Sequence, residues 1–338
     1  MKKFIILLTT IILLCGCGKN SKENIINNFS KSVDNVKSYK LTGKMKIFND
    51  EDTFSYTLEA SYLKDNFYKV VLLNETNNHK QIILRNNDGV YVITPSLNKS
   101  FKFDSVWPEN SSQSYLLKSL KTDVTKDSAA EYGDTEDGYF IKSTVNYPNN
   151  TELKYQKIYF DKDSQIKKAE VYNEENQIKI EVIFTDVNMN AKLKEDEFLL
   201  DNYIDSETNS SCKEDECDKT TSKTDEIVYP LYVPTNTYLT GKDNVNSEES
   251  DRVILTFTGD KNFVLVEQSS SVDSVFEIIP VYGDPLMISD TVGALGTNSI
   301  SWTTGGRDYY IVSNDLTTDE LVNVAASINN TSTVSASK

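Results

Sequence analysis

Segments that alternate polar and apolar residues follow one another from residue 39 to residue 187, and they constrain the fold more than any other feature. Clusters of Asn, Asp and Gly separate many of them, as Asn86–Gly89 separates His79–Leu84 from Val90–Thr94. Such clusters form tight turns between antiparallel strands. The pattern therefore predicts a long antiparallel meander. Its strands are expected at Tyr39–Phe48, Thr53–Leu63, Phe67–Leu73, His79–Leu84, Val90–Thr94, Gly138–Tyr147, Leu153–Asp161, Gln165–Tyr172 and Gln177–Val187.

Two segments in this half of the chain have helical spacing instead. Apolar residues from Ile25 to Val36 recur on one face of a helix predicted over about 22–36, and Ser112–Leu120 suits a partly buried helix. Because so few helices accompany so many strands, we expect them to pack on the concave face of the sheet. The fold class predicted is mainly β with α (α+β). Its N-terminal part is a curved antiparallel sheet, or incomplete barrel, with a helical plug.

The length of 338 residues predicts two domains. Residues 205–226 are polar and acidic apart from two cysteines, so they are predicted to form a linker or exposed excursion. This assigns 17–204 to the first domain. Residues 227–330 contain two clear hairpin patterns, and Thr317 and Glu320 have the spacing of a capping box before a final helix. We predict a small α+β domain there, followed by a frayed tail at 331–338.

The N-terminus has the pattern of a signal for export and lipidation. Lys2 and Lys3 precede the apolar stretch Phe4–Leu14, which is shorter than the ~20 residues that a spanning helix needs. The next residues, Leu14-Cys15-Gly16-Cys17, resemble the bacterial lipobox, in which the cysteine carries a diacylglyceryl thioether and palmitate. Residues 1–16 are therefore predicted to be a cleaved signal peptide, and Cys17 a lipid anchor on the extracytoplasmic face of the cell membrane.

The net charge of the chain argues against two classes of partner, nucleic acids and anionic membrane surfaces. The formal net charge is −16, and removing residues 1–16 removes two lysines and no acidic residue. A surface this acidic repels phosphate backbones and anionic head groups. We expect no nucleic-acid partner, and contact with the membrane only through the anchor.

Cys212 and Cys217 lie in the acidic excursion. Outside the cytoplasm an even pair of cysteines favours a disulfide. A zinc site is the alternative, but the two cysteines have no histidine nearby and only acidic neighbours. We predict a disulfide and neither metal nor cofactor.

Catalytic patterns are sparse. The single histidine, His79, lies in a predicted strand with no nucleophile-elbow motif nearby, and the two excursion cysteines have no neighbouring base. Paired carboxylates are harder to exclude, because a peptidoglycan-active hydrolase needs only two acids at the right separation. The interpretation favoured is a protein that is not an enzyme.

Two stretches carry a resemblance to a known family. Ser96–Phe103, Trp107-Pro108 and Asn110–Leu117 resemble the central motif of the YdcC-type sporulation lipoproteins, which are LolA-like bacterial lipoproteins. Residues 298–321 are similar to the C-terminal domain of the same proteins. The clostridial germination lipoprotein GerS is a shorter relative. The resemblance implies a LolA-like sheet with helices and a role in sporulation or spore germination in a Gram-positive bacterium.

Two binding functions follow from the resemblance. In the favoured one, the protein is a non-enzymatic scaffold that recruits an envelope or spore protein. In the other, an apolar groove carries or senses lipid acyl chains, since each buried methylene contributes ~0.8 kcal/mol. The residues expected at the groove or partner site are Trp107, Tyr115, Leu116 and Leu120. A filled core beneath the helix accounts for the same four side chains equally well.

Overall fold

The computed structural model describes residues 22–49, 52–203, 227–246, 251–270 and 276–329. Within these ranges the chain forms three α-helices and two β-sheets. The helices are α1 (Lys22–Asp34), α2 (Leu117–Lys126) and α3 (Thr318–Asn329). The strands of the first half are β1 (Ser38–Asn49), β2 (Asp52–Leu63), β3 (Phe67–Asn74), β4 (Lys80–Asn86), β5 (Gly89–Thr94), β6 (Lys99–Phe103), β7 (Glu131–Asp134), β8 (Gly138–Thr144), β9 (Tyr155–Asp161), β10 (Ile166–Tyr172) and β11 (Ile178–Asn188).

The second half supplies the remaining strands. These are β12 (Thr237–Asn246), β13 (Asp251–Gly259), β14 (Phe263–Ser269), β15 (Glu277–Val281), β16 (Gly283–Ile288), β17 (Thr291–Gly296), β18 (Ser299–Thr304) and β19 (Arg307–Val312). The described ranges also contain three short 3-10 helices, at Pro95–Leu97, Glu195–Phe198 and Leu200–Tyr203.

The large sheet has twelve strands in the order β15-β6-β5-β4-β3-β2-β1-β11-β10-β9-β8-β7. From β1 to β6, and again from β7 to β11, each strand pairs antiparallel with the one before it. The alternating sequence predicts this meander for β1–β5 and β8–β11, whereas β6 and β7 are not predicted. β1 then closes on β11 and joins the two runs into one sheet. The fold class mainly β with α is thereby confirmed.

Both helices of the first half cover one face of this sheet, which we call the inner face. Ile25, Phe29 and Val33 of α1 and Leu120 and Val124 of α2 belong to one buried cluster with inward side chains of the strands. The Phe29 ring meets the Phe160 ring edge-on at 5.2 Å. Packing the apolar stripe of each helix on the sheet removes both from water, which is the main force holding such layers together.

The opposite face of the large sheet is covered in part by the chain leaving β11. Phe198 is fully buried against Phe67, Ile82 and Leu84, and its carbonyl accepts a hydrogen bond from Asn86 at 3.0 Å. The segment that leads into the acidic excursion is therefore tied to the sheet as far as Tyr203.

The small sheet has seven strands in the order β12-β13-β14-β19-β18-β17-β16, with α3 packed on one face. The capping box predicted for α3 is confirmed. The Glu320 N–H donates to Thr317 Oγ at 3.2 Å, and the Thr317 N–H donates to the Glu320 carboxylate at 2.8 Å. These two bonds satisfy amides that an uncapped helix would leave exposed.

One strand crosses between the two halves. β15 pairs in parallel with β6 at the end of the large sheet, and the chain then enters the small sheet at β16. A strand from the predicted C-terminal domain thus lies in the sheet of the predicted N-terminal domain. The boundaries at 204 and 227 stay a prediction.

Candidate functional site

The segment between β6 and α2 carries the residues that the sequence singles out. Trp107 is 1% exposed, and its ring meets the Tyr68 ring edge-on at 6.1 Å. The backbone N–H of Trp107 donates to Ser105 Oγ at 2.9 Å, and the Arg85 guanidinium donates to the backbone carbonyls of Val106 and Trp107. The segment is therefore anchored on β4, with the indole inside the core.

Tyr115 lies near the end of the same segment. Its hydroxyl donates to Gln113 Oε1 at 2.6 Å, and the Gln113 amide donates in turn to Ser111 Oγ at 2.8 Å. Burial raises the pKa of the Tyr115 phenol, so it remains a neutral hydrogen-bond donor. The helix predicted at 112–120 begins later than expected, at Leu117. The backbone N–H of Gln113 donates to Ser119 Oγ at 2.7 Å, which holds the residues before Leu117 in a turn outside the helix.

A cavity of about 870 Å³ lies beside this segment. Its walls come from the inner face of the large sheet, from the 107–115 and 147–154 segments, and from β16, β17 and α3 of the second half. Trp107 and Tyr115 line it, whereas Leu116 and Leu120 are fully buried in the core and are not among its lining residues. The structure therefore brings two of the four predicted residues to the cavity.

The lining of the cavity is mixed. The apolar side chains include Met45, Ile83, Met287 and Val292, and the Leu231 side chain, 70% exposed, lies at the same cavity. Polar and charged lining residues are as numerous. They include Glu152, Lys154, Glu174, Lys179 and Asp319. Such a lining matches a ligand with both apolar and polar groups.

A buried polar cluster supports the wall formed by the 111–115 segment. Gln156 is fully buried on β9, and its Nε2 donates to Asp123 Oδ2 at 3.0 Å and to Ser143 Oγ at 3.3 Å. Its Oε1 has no hydrogen-bond partner within the part of the chain that the structure describes. Burial raises the pKa of the Asp123 carboxyl to about 6, against hydrogen bonds from Ser112 and Gln156 that favour its charged form.

The second half is fixed to the large sheet by specific polar contacts. The Val292 N–H donates to Gln81 Oε1 at 2.6 Å, and Gln81 Nε2 donates to the Val292 carbonyl at 3.1 Å. The Tyr56 hydroxyl donates to the Ser289 carbonyl at 3.0 Å, and the buried Lys99 ammonium lies 2.8 Å from Asp308 Oδ2. The far wall of the cavity is thus held in a defined position.

The sequence of residues 1–198 matches the family described as Sporulation protein YdcC-like. The chain belongs to the YdcC-like family. Sporulation protein YdcC of Bacillus subtilis (strain 168) is 32% identical to it over 333 residues, which cover 97% of each protein.

Several solved structures align with this YdcC-like chain at low identity and low TM-score. The Pseudomonas aeruginosa MucA/MucB complex aligns at 12% identity and a TM-score of 0.32, covering 90% of this chain and 96% of the other. The complex of the CwlD amidase of Clostridioides difficile with the GerS lipoprotein aligns at 15% identity and a TM-score of 0.31, covering 50% of this chain and 96% of the other. A LolA superfamily protein from Nitrosomonas europaea aligns at 12% identity and a TM-score of 0.31, covering 52% of this chain and 98% of the other.

Other predicted sites of this YdcC-like chain stay predictions. Cys17, Cys212 and Cys217 lie outside the described residues, so the lipid anchor and the disulfide are not tested. His79 is described, and burial lowers its pKa. In the described ranges, no group of His, Cys, Asp and Glu side chains is arranged to hold a metal ion, and no helix is long and apolar enough to cross a bilayer.

Sequence reasoning missed the wall that the second half contributes. Met287 and Val292 lie on β16 and β17, two strands that the alternating pattern did not predict. One signal was present in β4, where Gln81 stands directly before the apolar run Ile82–Leu84 and shares its face of the strand with Ile83. A buried amide needs partners for its N–H and C=O groups, so its presence indicates a polar contact across the inner face.

Proposed function

We propose that this YdcC-like protein is a membrane-anchored, extracytoplasmic lipoprotein that acts in sporulation by binding a partner protein, without catalysing a reaction. The observation that carries the proposal is the cavity of about 870 Å³ between the inner face of the large sheet and the second half. Its mixed lining suits an amphipathic polypeptide segment, which presents apolar side chains together with backbone and charged groups. Anchoring at Cys17 would hold this cavity near the outer surface of the membrane.

The rim of the cavity supports the same proposal. Leu231 and Tyr232 lie at the cavity yet are both exposed, and Tyr229 beside them is exposed as well. Exposed aromatic and aliphatic side chains grouped at a cavity are typical of protein interaction sites. Lys154 and the Lys179–Glu152 ion pair at 3.4 Å supply the polar border around them.

Site-specific photocrosslinking tests this function. A photoreactive phenylalanine analogue at Leu231 is expected to form one discrete protein adduct in sporulating cells. The matched control replaces Tyr238, an equally exposed side chain on β12 that is not among the lining residues. The proposal fails if both positions give the same adducts, or if Leu231 gives none while the chain is present on membranes.

The apolar part of the lining favours a second candidate, the binding of an acyl chain. Met45, Ile83, Met287 and Val292 provide a surface on which methylenes lose contact with water. Native mass spectrometry on a soluble chain starting at Ser21, purified without detergent, distinguishes the two. A reproducible adduct of lipid mass that extracts into chloroform supports the acyl-chain carrier, and a bare protein mass supports the protein-binding function.

A further inference from the structure

Among the residues that the structure describes, no strand lies beside the outer edge of β15 at the end of the large sheet. β15 is the terminal strand of the twelve, and its only strand partner among the described residues is β6. The Glu277 N–H donates to the Asn98 carbonyl at 2.8 Å, and the Asp104 N–H donates to the Val281 carbonyl at 3.1 Å. Along a strand, the backbone N–H and C=O groups of one residue point to the neighbouring strand and those of the next residue point away from it. Glu277 and Val281 bond to the β6 side, so the backbone groups of Ile278 and Pro280 point away from β6.

A groove of about 510 Å³ runs beside this edge. Phe101, Ile279 and Val281 line it on the side of the large sheet, and Val266 and Tyr310 line it on the side of the small sheet. This groove shares no lining residue with the cavity described above. It is therefore a separate place in the fold, at the corner where the chain passes from β15 to β16.

Exposed apolar side chains gather around the groove. Tyr282 is 81% exposed, Ile278 is 46% exposed and Tyr310 is 42% exposed, and Tyr282 and Tyr310 both belong to its lining. Isolated exposed apolar residues are ordinary, but several around one concave feature mark an interaction site.

We propose that the free edge of β15 and the groove beside it form a second binding site, which takes a short extended segment of a partner protein as an added β-strand. The outward N–H of Ile278 and the outward carbonyls of Ile278 and Pro280 can be matched by another extended backbone. The groove then receives alternate side chains of the added strand on Phe101, Val266 and Tyr310. This site is independent of the function proposed above, because the two sets of lining residues are separate.

The occupant is a peptide segment of another protein rather than a second copy of this chain. Pro280 carries no N–H. Antiparallel pairing of two β15 strands about their centre at Ile279 sets each Ile278 opposite a Pro280. It forms two hydrogen bonds and leaves both Ile278 carbonyls unpaired, whereas a peptide without proline can pair all three outward groups of β15. Two chains that each carry a net charge of −16 also repel one another. A proline in the middle of an edge strand limits indiscriminate pairing and leaves a short site for an uncharged or basic segment.

A proline substitution tests the contribution of the outward N–H of Ile278. The Ile278 N–H points away from β6, so Ile278→Pro removes it without removing a bond of the β6–β15 ladder. Ile278→Ala is the matched control, because it shortens the side chain but keeps the N–H. The probe is a phage-displayed library of random nonapeptides, selected on the wild-type chain and counter-selected on Ile278→Pro. Enriched peptides are then synthesised and titrated by fluorescence anisotropy.

Enriched peptides are expected to show alternating β-branched or aromatic residues and to bind Ile278→Ala within about threefold of wild type. They are expected to bind Ile278→Pro at least about tenfold more weakly, the effect of one net hydrogen bond. Equal binding to both variants overturns the proposal, as does the absence of any enriched peptide. A wild-type dimer in sedimentation that Ile278→Pro dissociates also overturns it, because the second copy would then be the occupant.

A second measurement covers the case in which Ile278→Pro melts well below wild type. Synthetic peptides with single N-methyl groups are titrated against the wild-type chain. An added strand loses binding when alternate amides are methylated and keeps it when the intervening amides are methylated. Uniform sensitivity, or none, contradicts the proposal.

Discussion

The side-chain amide of Gln81 pairs with both backbone groups of Val292, at 2.6 Å from the Val292 N–H and 3.1 Å to its carbonyl. Gln81 thereby imitates one residue of a neighbouring strand and ties β17 to the inner face of the large sheet. Thr291 Oγ donates to the same Gln81 oxygen at 3.2 Å. All three residues are buried, so the pairing takes place away from water.

Replacing Gln81 should therefore weaken the junction. Gln81→Met keeps the approximate shape but leaves the Val292 N–H and carbonyl unpaired, and each unmade buried bond costs about 1–3 kcal/mol. We expect the free energy of unfolding to fall by about 2–4 kcal/mol in urea titrations. Asn77→Ala is the control, since Asn77 reaches across the same junction to Asp290 but is exposed. If Asn77→Ala lowers the free energy of unfolding as much as Gln81→Met does, the buried pairing of Gln81 with Val292 contributes no more than an exposed contact.

Asp123 predicts a dependence of stability on pH. Burial raises the pKa of its carboxyl to about 6, above the unfolded value of ~3.9. The folded chain therefore holds this proton more tightly than the unfolded chain, and this group's contribution to stability falls as pH rises from about 4 to about 6. Asp123→Asn removes that loss, so the variant is expected to be more stable than wild type at pH 7.5, with a difference that shrinks towards pH 4.

Thermal unfolding across this range measures the effect. The exposed Asp137→Asn is the matched control and is expected to follow the wild-type profile. A constant difference between Asp123→Asn and wild type at every pH would mean that folding does not raise the pKa of the Asp123 carboxyl.

The lipid anchor is tested at its cysteine. Cys17→Ala is expected to move the protein from the membrane fraction to the soluble fraction, because the thioether to the diacylglyceryl group cannot form. The control is Cys15→Ala, two residues earlier in the predicted signal peptide, which is expected to leave the protein on membranes. Retention of Cys17→Ala after fractionation would refute lipidation at this residue.

The cysteine pair is predicted to form a local disulfide with a small effect. Closing so short a loop constrains the unfolded chain by at most about 2 kcal/mol in the entropy model. Reducing the protein, or replacing Cys212 and Cys217 by Ser, should therefore shift the urea midpoint only slightly. A loss of several kcal/mol would instead mean that this pair holds structure beyond its own loop.

The sequence predicts the local elements well and the contacts between distant ones poorly. Alternation and turn clusters are local signals, and the hairpin of β1 with β2 pairs every residue from Ser38↔Leu63 to Asn49↔Asp52. β15 shows the opposite case. Its partner β6 lies far away in the sequence, no tight turn joins them, and Pro280 in its short run argues against a strand.

The candidate site divides in the same way. The motif around Trp107 and Tyr115 points to two residues that do line the cavity, but the same pattern places Leu116 and Leu120 there, which instead fill the core. Helical and loop spacing indicates that a side chain is apolar and buried, and it does not indicate which buried side chains border an empty space. That distinction depends on how β16, β17 and α3 meet the large sheet.

The proposed function requires that a partner protein occupies the cavity between the large sheet and the second half. It is tested by the yield of the Leu231 photocrosslink in cells that carry Ala326→Trp, whose larger side chain narrows the cavity from α3. With equal amounts of chain on membranes, the yield of the adduct is expected to fall at least about fivefold, equivalent to about 1 kcal/mol of lost binding. An adduct of unchanged yield and mass would contradict it.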